Sequence, residues 1–131
     1  MNGRLIGSLL ALVMSAAPLA ARAQGMAGCR DSFQYVLDGA REQWPDVSPF
    51  LLSGEHVRYF MLAYNAEVEA DQRVLADRIV VVPLPPDLSS TWWYFGFDAD
   101  CLSFYAELTA HKGEHLIESG YAMLNPEQRL Q

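Results

Sequence analysis

The first 23 residues set the strongest limit on what this chain can fold into, because they have the pattern of a secretory signal peptide. Arg4 supplies a positive charge, the run from Leu5 to Ala21 carries no charge, and Ala21-Arg22-Ala23 has the small residues that signal peptidase prefers. A membrane-spanning helix needs about 20 apolar residues, and this run is shorter and diluted with Gly, Ser and Ala. We expect cleavage after Ala23, which leaves residues 24–131 as a single small domain.

A rival processing site lies a few residues further on. Met26-Ala27-Gly28-Cys29 resembles a bacterial lipobox, in which the cysteine is lipidated and becomes the mature N-terminus. Met26 stands where Leu is usual, and Arg22 and Gln24 separate Cys29 from the apolar run that a lipobox normally follows directly. We therefore favour a soluble exported protein over a lipid-anchored envelope subunit. Contact with a membrane is expected only if Cys29 is lipidated.

Cys29 and Cys101 are the only cysteines of the chain. Export to the periplasm or the medium places them in an oxidising compartment, where a structural disulfide is expected. A domain of this size buries a modest fraction of its surface, and a bridge across so long a loop would stabilise it by roughly 4 kcal/mol. The pair lacks the C-x-x-C spacing of a redox motif, so we predict a structural bridge.

The chain is acidic, with 16 acidic residues against 9 basic ones and a formal net charge of −7. Removal of Arg4 and Arg22 with the leader makes the mature charge still more negative. Nucleic acids and anionic lipid surfaces bind preferentially to proteins with clustered Lys and Arg. We therefore expect no nucleic-acid partner for this acidic chain. The same charge favours approach to a basic protein partner, and it also keeps a small protein soluble.

The apolar pattern predicts an α+β fold. Helical spacing of apolar residues predicts a first helix over about residues 30–43 and a second helix that begins after Ser53. Between them, residues 46–52 are predicted to form a turn that carries apolar residues back to the core. Runs of β-branched and aromatic residues predict strands at 78–82, 91–97 and 101–108, and a final helix is predicted over about 114–123. The order α-α-β-β-β-α favours a three-stranded antiparallel meander with two N-terminal helices, a C-terminal helix, and the helices packed on one face.

Trp92, Trp93 and Tyr94 begin an almost wholly aromatic strand and form the candidate binding surface. Side chains alternate along a strand, so Trp92 and Tyr94 face one way and Trp93 faces the other. One interpretation is an aromatic platform for a protein partner or a glycan, because Trp and Tyr are enriched at binding hot spots. The other is a central strand that is covered on both sides.

His111-Lys112-Gly113-Glu114-His115 has the form H-x-x-E-H, which resembles the signature of the inverzincin metalloproteases. The resemblance implies two zinc-binding histidines, His111 and His115, with Glu114 as the general base. That family has a further ligand well downstream, whereas only 16 residues follow His115, and Gly113 costs a helix roughly 1 kcal/mol relative to Ala. We reject the protease and keep metal binding by His111, Glu114 and His115 as a weak alternative.

No nucleophile motif, phosphate-binding loop or dinucleotide fingerprint occurs in the sequence. We therefore expect a periplasmic or secreted, non-catalytic binding protein that needs no cofactor, such as an inhibitor or an immunity-type protein for a basic secreted enzyme. Two alternatives stay open. One is a metal-binding protein or small metalloenzyme that uses residues 111–115, and the other is a lipid-anchored envelope subunit.

Overall fold

The computed structural model describes residues 16–26, 29–83 and 90–129. Most of the predicted signal peptide, residues 1–15, and Ala27-Gly28 of the lipobox-like segment lie outside these ranges. The helices are α1 (Ala17–Gln24), α2 (Ser32–Gln43), α3 (Gly54–Glu67), α4 (Ala110–Leu124) and α5 (Pro126–Arg129). The strands are β1 (Phe50–Leu51), β2 (Arg78–Val82), β3 (Thr91–Asp98) and β4 (Cys101–Thr109). The predicted α+β class is confirmed.

The strands form one antiparallel sheet in the order β1-β2-β3-β4. Its three longer strands are the predicted meander. The two residues of β1 add a fourth strand where the sequence analysis assigned a turn: Phe50 pairs with Val81, and Leu51 with Val80. So short a strand cannot display the alternating pattern by which strands are recognised in a sequence. Ala99 and Asp100, both with positive φ, connect β3 to β4 in the manner of a type I′ turn.

Helices cover both faces of the sheet, so the expectation that they pack on one face was wrong. Trp93, Phe95 and Phe97 of β3 pack with α1 and α2 in one core cluster. Tyr94 belongs to a second cluster with α3 and α4. The physical reason is that β3 is apolar on both sides, and a strand of that kind needs cover on both faces.

Side-chain caps fix where two of the helices begin. The Ser53 hydroxyl accepts a hydrogen bond from the His56 backbone N–H at 3.2 Å, which confirms the predicted start of the second helix. The Thr109 hydroxyl accepts from the Lys112 backbone N–H at 3.1 Å. Because of this cap, α4 begins at Ala110, earlier than the sequence pattern predicted.

A disulfide joins Cys29 to Cys101, as predicted. Their Cα atoms are 4.6 Å apart, and the bridge spans 72 residues of sequence. It ties the segment between α1 and α2 to the first residue of β4. Such a bond is typical of proteins that mature in an oxidising compartment.

Helix α1 belongs to the region predicted to be removed as a signal peptide, yet it is packed into the core. Ala16, Leu19, Ala20 and Ala23 are buried in the cluster that contains Trp93 and Phe95. The predicted cleavage site after Ala23 falls within this helix. The structure therefore describes the chain before any cleavage, and cleavage itself stays a prediction.

Candidate functional site

The predicted aromatic surface is divided by the sheet. The side chains of Trp93 and Tyr94 are only 4% and 3% exposed, whereas Trp92 is partly exposed. Trp93 packs against Trp44, with 4.5 Å between the ring centroids, and its indole N–H donates to a Glu107 carboxylate oxygen at 3.0 Å. The prediction of Trp92, Trp93 and Tyr94 as one surface is therefore corrected to Trp92 alone, because the other two serve the core.

One residue that the sequence analysis missed, Phe50, joins Trp92 near the edge of the sheet. Phe50 packs edge-to-face against Trp92, with 6.0 Å between the ring centroids. Phe50 is 40% exposed and Leu51 is 52% exposed, and both belong to β1, one of the two edge strands. Leu51 pairs with Val80 and so faces the opposite side of the sheet from Phe50, which pairs with Val81. We call Phe50 and Trp92 the edge patch. The only sequence signal for it was the apolar run at residues 50–52, which was assigned to a turn that returns to the core.

The edge patch has the properties of a small anchor site. Phe50 is supported by the ring beneath it, so little side-chain freedom is lost when a partner covers it. Asp46 and Glu55, both exposed, precede and follow β1 in the chain. Exposed apolar side chains at a sheet edge can pack against another chain. Because β1 has only two residues, its backbone can pair with only a short segment of that chain. The patch therefore favours side-chain contacts over addition of a long strand.

The histidine segment forms the first turns of α4. His111, Glu114 and His115 are exposed. The Lys112 ammonium donates to both carboxylate oxygens of Glu67, at 2.8 and 3.0 Å. Within residues 16–26, 29–83 and 90–129, no group of three His, Cys, Asp or Glu residues is placed to hold a metal ion. The segment thus begins a helix and links α4 to α3 through the Lys112–Glu67 contact. Metal binding by this segment stays an untested alternative.

Gly113 has a packing role in this segment. A methyl group at this position would overlap the Tyr94 hydroxyl, which lies against the helix backbone. The glycine that weakened the case for a helix in the sequence analysis is therefore what lets α4 approach the sheet.

Tyr94 gives a prediction for alkaline solution. Burial, together with the nearby charge of Glu114, raises its pKa from 10.0 to about 12. A phenol whose pKa is raised by folding stabilises the folded state below its unfolded pKa, and this contribution is lost as the pH increases. We expect the free energy of unfolding to decline between pH 10 and 12 in urea titrations. Tyr94→Phe should lessen the decline, and an unchanged pH profile in that variant would contradict the assignment.

Comparison with known protein families, with curated proteins and with solved structures finds no match. Among the helices in the described part of the chain, none has the length and apolar character needed to cross a membrane. Function is therefore inferred from the chemistry and geometry of the described residues.

Proposed function

We propose that the protein is an exported, non-catalytic binding protein whose edge patch contacts a basic protein partner. An inhibitor or immunity-type protein that covers a basic secreted enzyme fits this description. The observation that carries the proposal is the partly exposed Phe50 ring held against Trp92 on an edge strand of the sheet. Aromatic residues fixed in this way are typical of binding hot spots.

Charge and compartment support the same proposal. The net charge of −7 favours encounter with a positively charged protein and opposes binding to nucleic acid. The signal-like N-terminus and the Cys29–Cys101 bridge are consistent with a periplasmic or secreted location. Binding through an aromatic anchor needs no cofactor.

Site-specific photo-crosslinking tests where the partner binds. A photoreactive phenylalanine analogue at position 50, in protein exported from its own host, should crosslink to a discrete basic protein. The same analogue at Leu75, which is 72% exposed and lies outside the edge patch, is the matched control. We expect capture at position 50 and none at position 75. Equal capture at both positions, or none at either, would count against the edge patch.

Affinity for the captured protein gives the quantitative prediction. Truncation of a central aromatic anchor commonly costs about 2 kcal/mol, so Phe50→Ala should raise the Kd about 30-fold. Leu75→Ala should leave the Kd unchanged. Both can be measured by calorimetry with purified proteins.

A stoichiometric metal ion that is lost in His115→Ala would instead favour the metal-binding alternative.

A further inference from the structure

Helix α1 occupies a groove that is shaped for a helix with small residues. The three residues that it buries, Leu19, Ala20 and Ala23, recur at helical spacing with the buried residue that precedes the helix, Ala16, and so form one face. They share a core cluster with Val36 and Ala40 of α2 and with residues of the sheet. The groove therefore has an apolar floor that α1 helps to cover.

Two details show that the fit is close. A Cβ atom on Gly39, in the middle of α2, would lie 2.6 Å from Leu19 Cδ1, so the absence of a side chain there leaves room for Leu19. The Ser32 hydroxyl, which is buried, donates to the Ala23 carbonyl at 3.0 Å. A glycine inside a helix weakens that helix, and here the space it leaves is filled by an incoming leucine.

The rim of the groove is acidic on the α2 side. Asp38 and Glu42 of α2 line the same cleft as Arg22 of α1. This arrangement suits a helix that carries a basic residue beside its apolar face. A second copy of so acidic a chain would bring like charge to the rim, which disfavours self-association through this groove.

Signal peptides are removed from mature exported proteins. Cleavage after Ala23 would take away every buried residue of α1 and uncover the floor of the groove. We propose that the mature protein uses the vacated groove to bind a helix of a basic partner protein. That helix presents Leu and Ala residues on one face and a Lys or Arg toward Asp38 and Glu42, and α1 occupies its place in the uncleaved chain. This inference rests on the proposed export and gives the basic partner a second contact, on a different face from the edge patch.

The test uses protein exported from the full-length gene. Its intact mass should correspond to a chain that begins at Gln24. A fluorescently labelled synthetic peptide with the sequence of residues 15–26 then serves as the probe helix in anisotropy titrations. We expect saturable binding that weakens as salt is added, because Arg22 of the peptide faces Asp38 and Glu42. A peptide with Leu19→Asp should bind at least about 10-fold more weakly, because its carboxylate would enter an apolar site.

Gly39→Leu in the exported protein is the matched test of the groove. With α1 removed, the new side chain fills the vacant site and improves the helix, so the Tm should stay equal or rise. Peptide affinity should fall at least about 10-fold. If α1 is retained, the new leucine meets Leu19 and the Tm should fall.

Three outcomes would overturn the inference: an exported chain that retains residues 16–23, absence of peptide binding, or equal binding to Gly39→Leu protein. None of them affects crosslinking at position 50, which tests the edge patch separately. Conversely, peptide binding without capture at position 50 would support the groove and reject the edge patch.

Discussion

Gly120→Ala is expected to destabilise the domain by about 2 kcal/mol, because it forces two helices apart. Gly120 lies in α4 against the backbone of Tyr59 in α3, and a methyl group there would overlap the Tyr59 carbonyl group. Backbone atoms cannot rotate away as a flexible side chain can. The helices must separate, which loosens the edge-to-face pair of Tyr59 and Tyr121, now 5.5 Å between ring centroids, and the packing of buried Leu116.

Urea unfolding followed by tryptophan fluorescence measures this effect, and Gly54→Ala provides the matched control. Gly54 is the first residue of α3, and nothing lies within 4 Å of a Cβ atom placed there. The same chemical change should therefore be neutral or should stabilise the protein by up to about 1 kcal/mol. If the two variants lost similar stability, close approach of α3 and α4 at Gly120 would not be the cause.

The contrast between these glycines shows what the sequence can and cannot predict. Apolar spacing and the Ser53 cap identify the helix that begins at Gly54 from local pattern alone. A glycine within a helical pattern is equally visible at position 120. Which backbone it faces depends on how α3 and α4 pair on one face of the sheet, and that is a long-range property without a local signal. Sequence reasoning therefore recognises elements well and close contacts between them poorly.

The same dependence on long-range packing explains why two of the three residues predicted as a binding surface are buried. The aromatic run at residues 92–94 is conspicuous in the sequence, and alternation correctly separates Trp93 from its two neighbours. Whether each side is covered depends on four helices, one of which lies in the predicted signal peptide. Phe50 was missed because its contact with Trp92 arises only when β1 pairs with β2. The edge patch thus combines Trp92, which the sequence indicated, with Phe50, which only the fold brings to it.

Cys101→Ser is expected to lower the free energy of unfolding by roughly 4 kcal/mol, as predicted from the entropy of closing so long a loop in the unfolded chain. The bridge closes 72 residues, from the segment before α2 to the start of β4, so most of the domain lies inside the loop. Denaturant unfolding of exported protein measures the loss. The double variant Cys29→Ser with Cys101→Ser should lose a similar amount and excludes effects of a free thiol.

A reducing agent should lower the stability of the wild-type protein toward that of the double variant and should leave the double variant unchanged. This comparison also shows whether Cys29 is lipidated or disulfide-bonded. If Cys29 were lipidated, Cys101 would have no partner for a disulfide in the exported protein, since the chain has only two cysteines. Reduction and Cys101→Ser would then both leave stability unaltered, and the exported protein would carry added acyl mass. A loss of stability in both experiments would therefore exclude lipidation of Cys29 and leave it in the bridge. Because the bridge also forms in the uncleaved chain, the intact mass of the exported protein then decides whether cleavage after Ala23 has opened the groove beside α2.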